Sequence, residues 1–148
     1  MFQGETAVTI DDKGRMAIPT AYREQVADQC ANHLVFTYSL FDSGCLWLYP
    51  YAVWEVVRDQ VNALSMTKEA HRQTQMKLVG AAALVEPDSA ARILLPASQR
   101  ATTGIEKKTV LLGMGEKFEL WSEQAHLAKM RQSIGETDVT DEMQSLRL

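Results

Sequence analysis

Only two cysteines, Cys30 and Cys45, occur in 148 residues. That is too few for a disulfide framework, so reduced, part-buried thiols are expected. No apolar run approaches the roughly 18 to 20 residues that span a bilayer, and Met1-Phe2-Gln3-Gly4-Glu5 lacks the basic and apolar regions of a secretory signal. A cytoplasmic protein without a membrane partner is the expectation. Positive charge is scarce as well, with 15 Lys and Arg against 19 Asp and Glu for a net −4. Phosphate contacts need clustered cations, so this balance excludes a protein that coats nucleic acid indiscriminately. Any DNA binding must rest on a local patch.

What is present is an internal repeat. Asp11-Asp12-Lys13-Gly14-Arg15-Met16-Ala17-Ile18-Pro19 aligns without gaps on Asp88-Ser89-Ala90-Ala91-Arg92-Ile93-Leu94-Leu95-Pro96. Arg23 and Arg100 each follow their proline by four residues, and Leu46-Trp47-Leu48-Tyr49 resembles Phe118-Glu119-Leu120-Trp121. Hydrophobic residues at 46% and charged residues at 23% are ordinary for a globular chain. Two small units sharing one interior fit this length.

Each unit reads as strand, turn, strand, short helix, strand, loop, strand. In the first half the alternation of Thr6 to Ile10 predicts a strand and Asp12-Lys13-Gly14 a turn. Further strands are predicted over Met16 to Ile18, His33 to Leu40 and Cys45 to Tyr49. Pro19 suits the first helical position, with Tyr22 and Val26 on one face. In the second half the strands are Ala83 to Glu86, Arg92 to Leu95, Thr109 to Leu112 and Lys117 to Trp121, with a short helix over Ala97 to Thr102 ended by Gly104. Longer helices are expected from Tyr51 and Ser122. The stripes Val53, Val57, Val61, Leu64 and Met76, Val79, Ala83 are read as core or subunit interface, divided at Ser65-Met66-Thr67 with Thr67 as N-cap. The acidic end, Glu136 to Glu142, is expected to fray. The chain divides into a first unit over 1–50, linking helices over 51–82, a second unit over 83–121, and a C-terminal helix and polar tail over 122–148.

Lys13 and Arg15 flank Gly14 in an exposed turn. Arginine offers a planar fork for guanine or phosphate, and lysine a compact charge for the DNA backbone. Asp11 is expected to close the turn by accepting backbone N–H groups. In the second turn Ala90 and Ala91 replace the lysine and glycine. Alanine is penalised at φ > 0, so a differently shaped turn is expected there, with Arg92 as a secondary contact.

Other constellations fall short of chemistry. Cys30-Ala31-Asn32-His33 is half a zinc site without a fourth ligand, and neither thiol has an evident imidazole and carboxylate pair. No metal, cofactor or catalytic residue is expected, and the protein is not read as an enzyme. Gly113-Met114-Gly115 lacks a third glycine and reads as a hairpin turn. His71 and His126 read as partly exposed helix residues, and Trp47, Trp54 and Trp121 as core or interface.

Met1-Phe2-x-Gly4, Asp11-x-Lys13-Gly14-Arg15, Ile18-Pro19-x-x-Tyr22-Arg23, Leu112-Gly113 and Lys117-Phe118-Glu119-Leu120-Trp121 together resemble the MraZ family over nearly the whole chain. The resemblance implies an α+β fold, mainly β with interface helices, built from two tandem AbrB-type swapped-hairpin units. It also implies a ring-shaped, octameric assembly associated with the nucleoid. Such a ring would bind short direct repeats in double-stranded promoter DNA and regulate its own operon of division and cell-wall genes. The competing expectation is a ring-forming scaffold for protein partners that binds DNA only incidentally.

Overall fold

The computed structural model describes residues 1–148. Strand β1 (Phe2–Thr9) begins four residues earlier than the alternation alone suggests, because Phe2 turns inward and stacks on Phe118 with ring centroids 4.0 Å apart. It is followed by β2 (Arg15–Ala17), α1 (Thr20–Cys30), β3 (Leu34–Tyr38), β4 (Cys45–Pro50) and α2 (Tyr51–Asn62). The second half runs β5 (Ala83–Val85), β6 (Arg92–Leu94), α4 (Ala97–Thr103), β7 (Lys108–Gly115), β8 (Phe118–Ser122) and α5 (Glu123–Met130). Between them α3 (Glu69–Gln75) continues into a π-helical turn, Met76–Gly80. The order of elements repeats, as the sequence predicts.

The halves are not separate bodies. One six-stranded antiparallel sheet has the order β1-β7-β8-β4-β3-β5, and a two-stranded ribbon pairs β2 with β6. Each half therefore gives its first strand to the other, β1 to β7 and β5 to β3. The registers are reciprocal: Arg15 faces Leu94 while Ala17 faces Arg92, and Leu46 faces Leu120 while Leu48 faces Phe118. A pseudo-twofold axis thus passes near Met16–Ile93 and Trp47–Glu119.

The core lies on both faces of the sheet. On one, Phe36, Leu46, Leu48, Leu111 and Leu120 pack with Met16 and Ile93 from the inner face of the ribbon. On the other, Trp47, Trp54, Trp121 and Leu78 are buried with Val35 and Tyr49, and the Trp54 indole donates to the Leu78 carbonyl at 2.9 Å. The three tryptophans are core, as expected. Burial, and then the nearby Glu119, push the Tyr49 hydroxyl up to about 12. No helix is long and apolar enough to cross a membrane.

Several local expectations are corrected. Pro19, Pro50 and Pro96 each stand immediately before a helix at ψ near 133° to 138°, so Pro19 lies one residue outside the helix it was expected to open. Thr67 does not cap α3. The cap position is Lys68, and the Thr67 hydroxyl meets Ser65 Oγ at 2.8 Å instead. Ala83 belongs to β5, because the π-helical turn ends the helical run and turns Leu78 rather than Met76 inward. Gly113 lies within β7, and the hairpin turns two residues later. His126 is buried beside Glu5, 3.1 Å from its carboxylate but outside hydrogen-bonding geometry. The acidic end forms two short helical turns, Glu136–Asp138 and α6 (Asp141–Gln144), the second capped by Thr140.

Candidate nucleic-acid interface

The β2–β6 ribbon has one face buried and one open. Met16 and Ile93 point inward at 1% exposure each, so period-two alternation puts Arg15, Ala17, Arg92 and Leu94 on the other face. Two further bonds lock the strands, from Leu95 N to the Gly14 carbonyl and from Ile18 N to the Ala91 carbonyl. The two turns are thereby held side by side.

Asp11 organises the first turn. Its Oδ1 accepts from the backbone N–H groups of Lys13 and Arg15, and its Oδ2 from Arg15 Nε, all at 2.9 Å. The Arg15 N–H, ahead of the Arg15 guanidinium and the Lys13 N–H, holds the Asp11 carboxyl below the ordinary 3.8 against an opposing desolvation. With Nε committed to Asp11, Arg15 keeps two terminal nitrogens with no protein partner. Its guanidinium is therefore oriented and still free to pair.

The second turn repeats this geometry and corrects the expectation of a different shape. Asp88 accepts from Ala90 N and Arg92 N at 2.9 Å and from Arg92 Nε at 3.0 Å. Its carboxyl is likewise lowered, first by the Arg92 N–H. Ala91 adopts φ 58° where Gly14 has φ 83°. The left-handed penalty at one alanine is on the order of 1 to 2 kcal/mol, and three bonds to one carboxylate suffice to hold it. Lys13 remains without a counterpart, because Ala90 stands in its place.

Two more cations join this end. The Arg23 Nε–H donates to the Ile18 carbonyl at 2.8 Å. A guanidinium nitrogen of Arg100 reaches the first turn, 2.9 Å from where a Gly14 side chain would begin. Four of the eight arginines, with Lys13, therefore gather around one ribbon in a chain of net charge −4. Arg23 and Arg100 stand outside the site residues expected from the sequence. Their identical spacing from Pro19 and Pro96 was the available signal. No cluster of three or more His, Cys, Asp or Glu side chains is placed to hold a metal ion.

A family profile described as "MraZ protein, putative antitoxin-like" matches this chain twice, over residues 1–77 and 78–146. The chain is 57% identical over 148 residues to a protein named transcriptional regulator MraZ from Xanthomonas campestris pv. campestris strain 8004, covering 100% of both. Identity to the protein of that name from Stenotrophomonas maltophilia strain R551-3 is also 57%, over 100% of both chains. For the one from Marinobacter nauticus it is 40%, over 99% of this chain and 98% of the relative. A twofold family match, full-length identity and a sheet built reciprocally by two halves agree: the chain belongs to the MraZ family of transcriptional regulators.

Proposed function

We propose that the chain regulates transcription by binding double-stranded DNA sequence-specifically, with the β2–β6 ribbon as its reading element. The observation that carries this is the gathering of five cations around a ribbon whose other face is buried, in an otherwise acidic protein. A two-stranded ribbon fits the major groove, about 12 Å wide. Arg15 presents its terminal fork to a base edge, Lys13 gives its point charge to a phosphate, and Gly14 keeps the turn low enough to approach. Arg92 is the secondary contact, because its turn lacks the lysine.

Family membership supports a reading of the biological setting. We place the protein on short direct repeats upstream of its own operon of division and cell-wall genes, as a nucleoid-associated cytoplasmic octameric ring. A ring repeats one modest patch, so affinity grows through effective concentration and direct repeats match successive subunits.

The test is an electrophoretic shift with a duplex from upstream of its own coding sequence against random DNA. The protein should retard the first and leave the second free. Arg15→Ala should cost roughly 1 to 3 kcal/mol per contact and blur specificity, whereas Lys13→Ala should weaken all sequences alike. Arg92→Ala should do less than Arg15→Ala. Equal retardation of both duplexes by the parent would instead favour the scaffold reading.

A further inference from the structure

Gly14 and Ala91 hold equivalent places in the two turns, both at positive φ, yet the arginines behind them differ. A Cβ at Gly14 would lie 2.9 Å from Arg100 Nη1, so the guanidinium occupies the space a side chain would take. Ala91 fills the equivalent space with a methyl group. The twofold counterpart of Arg100, Arg23, is turned instead to the Ile18 carbonyl. Arg100 makes no such bond. Its Nε is buried without a partner, and none of the ion pairs in the molecule includes it.

A buried donor on a charged group is costly to leave unpaired. Arg100 therefore sits at the first turn with an incomplete set of partners. Arg100 also lines an open cleft with Ala97, Ala101, Gly104, Ile105 and Glu106. With Nε buried, only the terminal nitrogens can take an acceptor from outside, Nη1 stands at the first turn, and guanidinium forks suit phosphate oxygens.

We propose that Arg100 is a further DNA-contacting residue, passed through the gap at Gly14 so that the first turn grips a backbone phosphate with cations from both halves of the chain. The inference rests on the ribbon being the DNA-binding face. It assigns the asymmetry of the two turns to one methyl group: Lys13, Arg15 and Arg100 converge on the first, whereas Ala91 keeps Arg23 out of the second.

The experiment is a fluorescence-anisotropy titration of the full-length assembled protein across a salt series. The probes are a labelled duplex from upstream of its own coding sequence and a scrambled duplex of equal length. Arg100→Ala should weaken both by on the order of tenfold and lower the log–log salt slope by about one unit for each subunit engaged. Arg100→Lys should keep the slope. Arg100→Gln, which retains length and polarity, should lose it. Mass and melting temperature are matched to the parent first, and Arg100→Gln decides the point if Arg100→Ala fails to assemble.

Ala91→Gly should let Arg23 enter the second turn and steepen the slope. Parental slope in Arg100→Gln, or an unchanged slope in Ala91→Gly, would each overturn the inference. If Arg15→Ala also bound like the parent, the ribbon reading itself would fall; if Arg15→Ala alone lost the operator, only the role of Arg100 would.

Discussion

Asp11 and Asp88 each accept two backbone N–H groups and one guanidinium N–H while remaining open to solvent. Both carboxyls are held below 3.8, so their contribution to the folded turns is complete above that value and lost as pH falls through the lower folded one. Asp11→Asn keeps an oxygen for the backbone but removes the charge from Arg15. It should flatten the fall in melting temperature between about pH 5 and pH 2 relative to the parent, and an unchanged acid profile would contradict the role given to Asp11. At this scale the sequence is informative about chemistry and poor about strain. The Asp-to-Arg spacing is legible because one carboxylate can serve two N–H groups only across a tight turn. That Ala91 tolerates positive φ is not legible, because the compensating bonds come from Asp88 three residues away.

Gly113 shows why element boundaries were harder to read than elements. A Cβ there would lie 2.4 Å from Gln3 N and 2.7 Å from Gln3 Cα, both backbone atoms of the neighbouring strand. The glycine is needed for close strand approach, not for a turn. Gly113→Ala should destabilise the protein by about 1 to 3 kcal/mol, seen as a lower denaturant midpoint, because β1 cannot yield without breaking its pairing to β7. A parental midpoint would show that the strands can separate locally. The strands and helices themselves were legible from period-two and helical spacing, with errors at their ends. The Met76–Gly80 turn was the largest: one extra residue in a helical turn changes which side chain faces inward, and the Met76, Val79, Ala83 spacing carries no mark of it.

Across the whole molecule, Leu94 is exposed on the ribbon, and further apolar side chains are exposed on the helices between and after the two halves. Val56 belongs to α2, Leu64 and Met66 to the connection after it, Met76 to the π-helical turn that continues α3, and Leu127 and Met130 to α5. If these helices are subunit interfaces, light scattering at micromolar concentration should give a mass several times 16.6 kDa, and Val56→Glu with Met76→Glu should lower it. A monomeric parent would remove the ring. The repeat is legible in the sequence itself, but the exchange of first strands enters only through the resemblance to swapped-hairpin units, because matching segments say which elements correspond and not whose partner each becomes. That exchange also sets a clock on synthesis. Phe2 pairs with Gly115 and Thr9 with Lys108, so β1 has no partner until β7 has been made. At roughly 5 to 20 residues per second, it waits on the order of 5 to 20 seconds with its hydrogen-bonding edges open. During that interval the β7 of any other copy is an equally matched partner for β1, and the intramolecular exchange must outcompete an intermolecular one each time the protein is made.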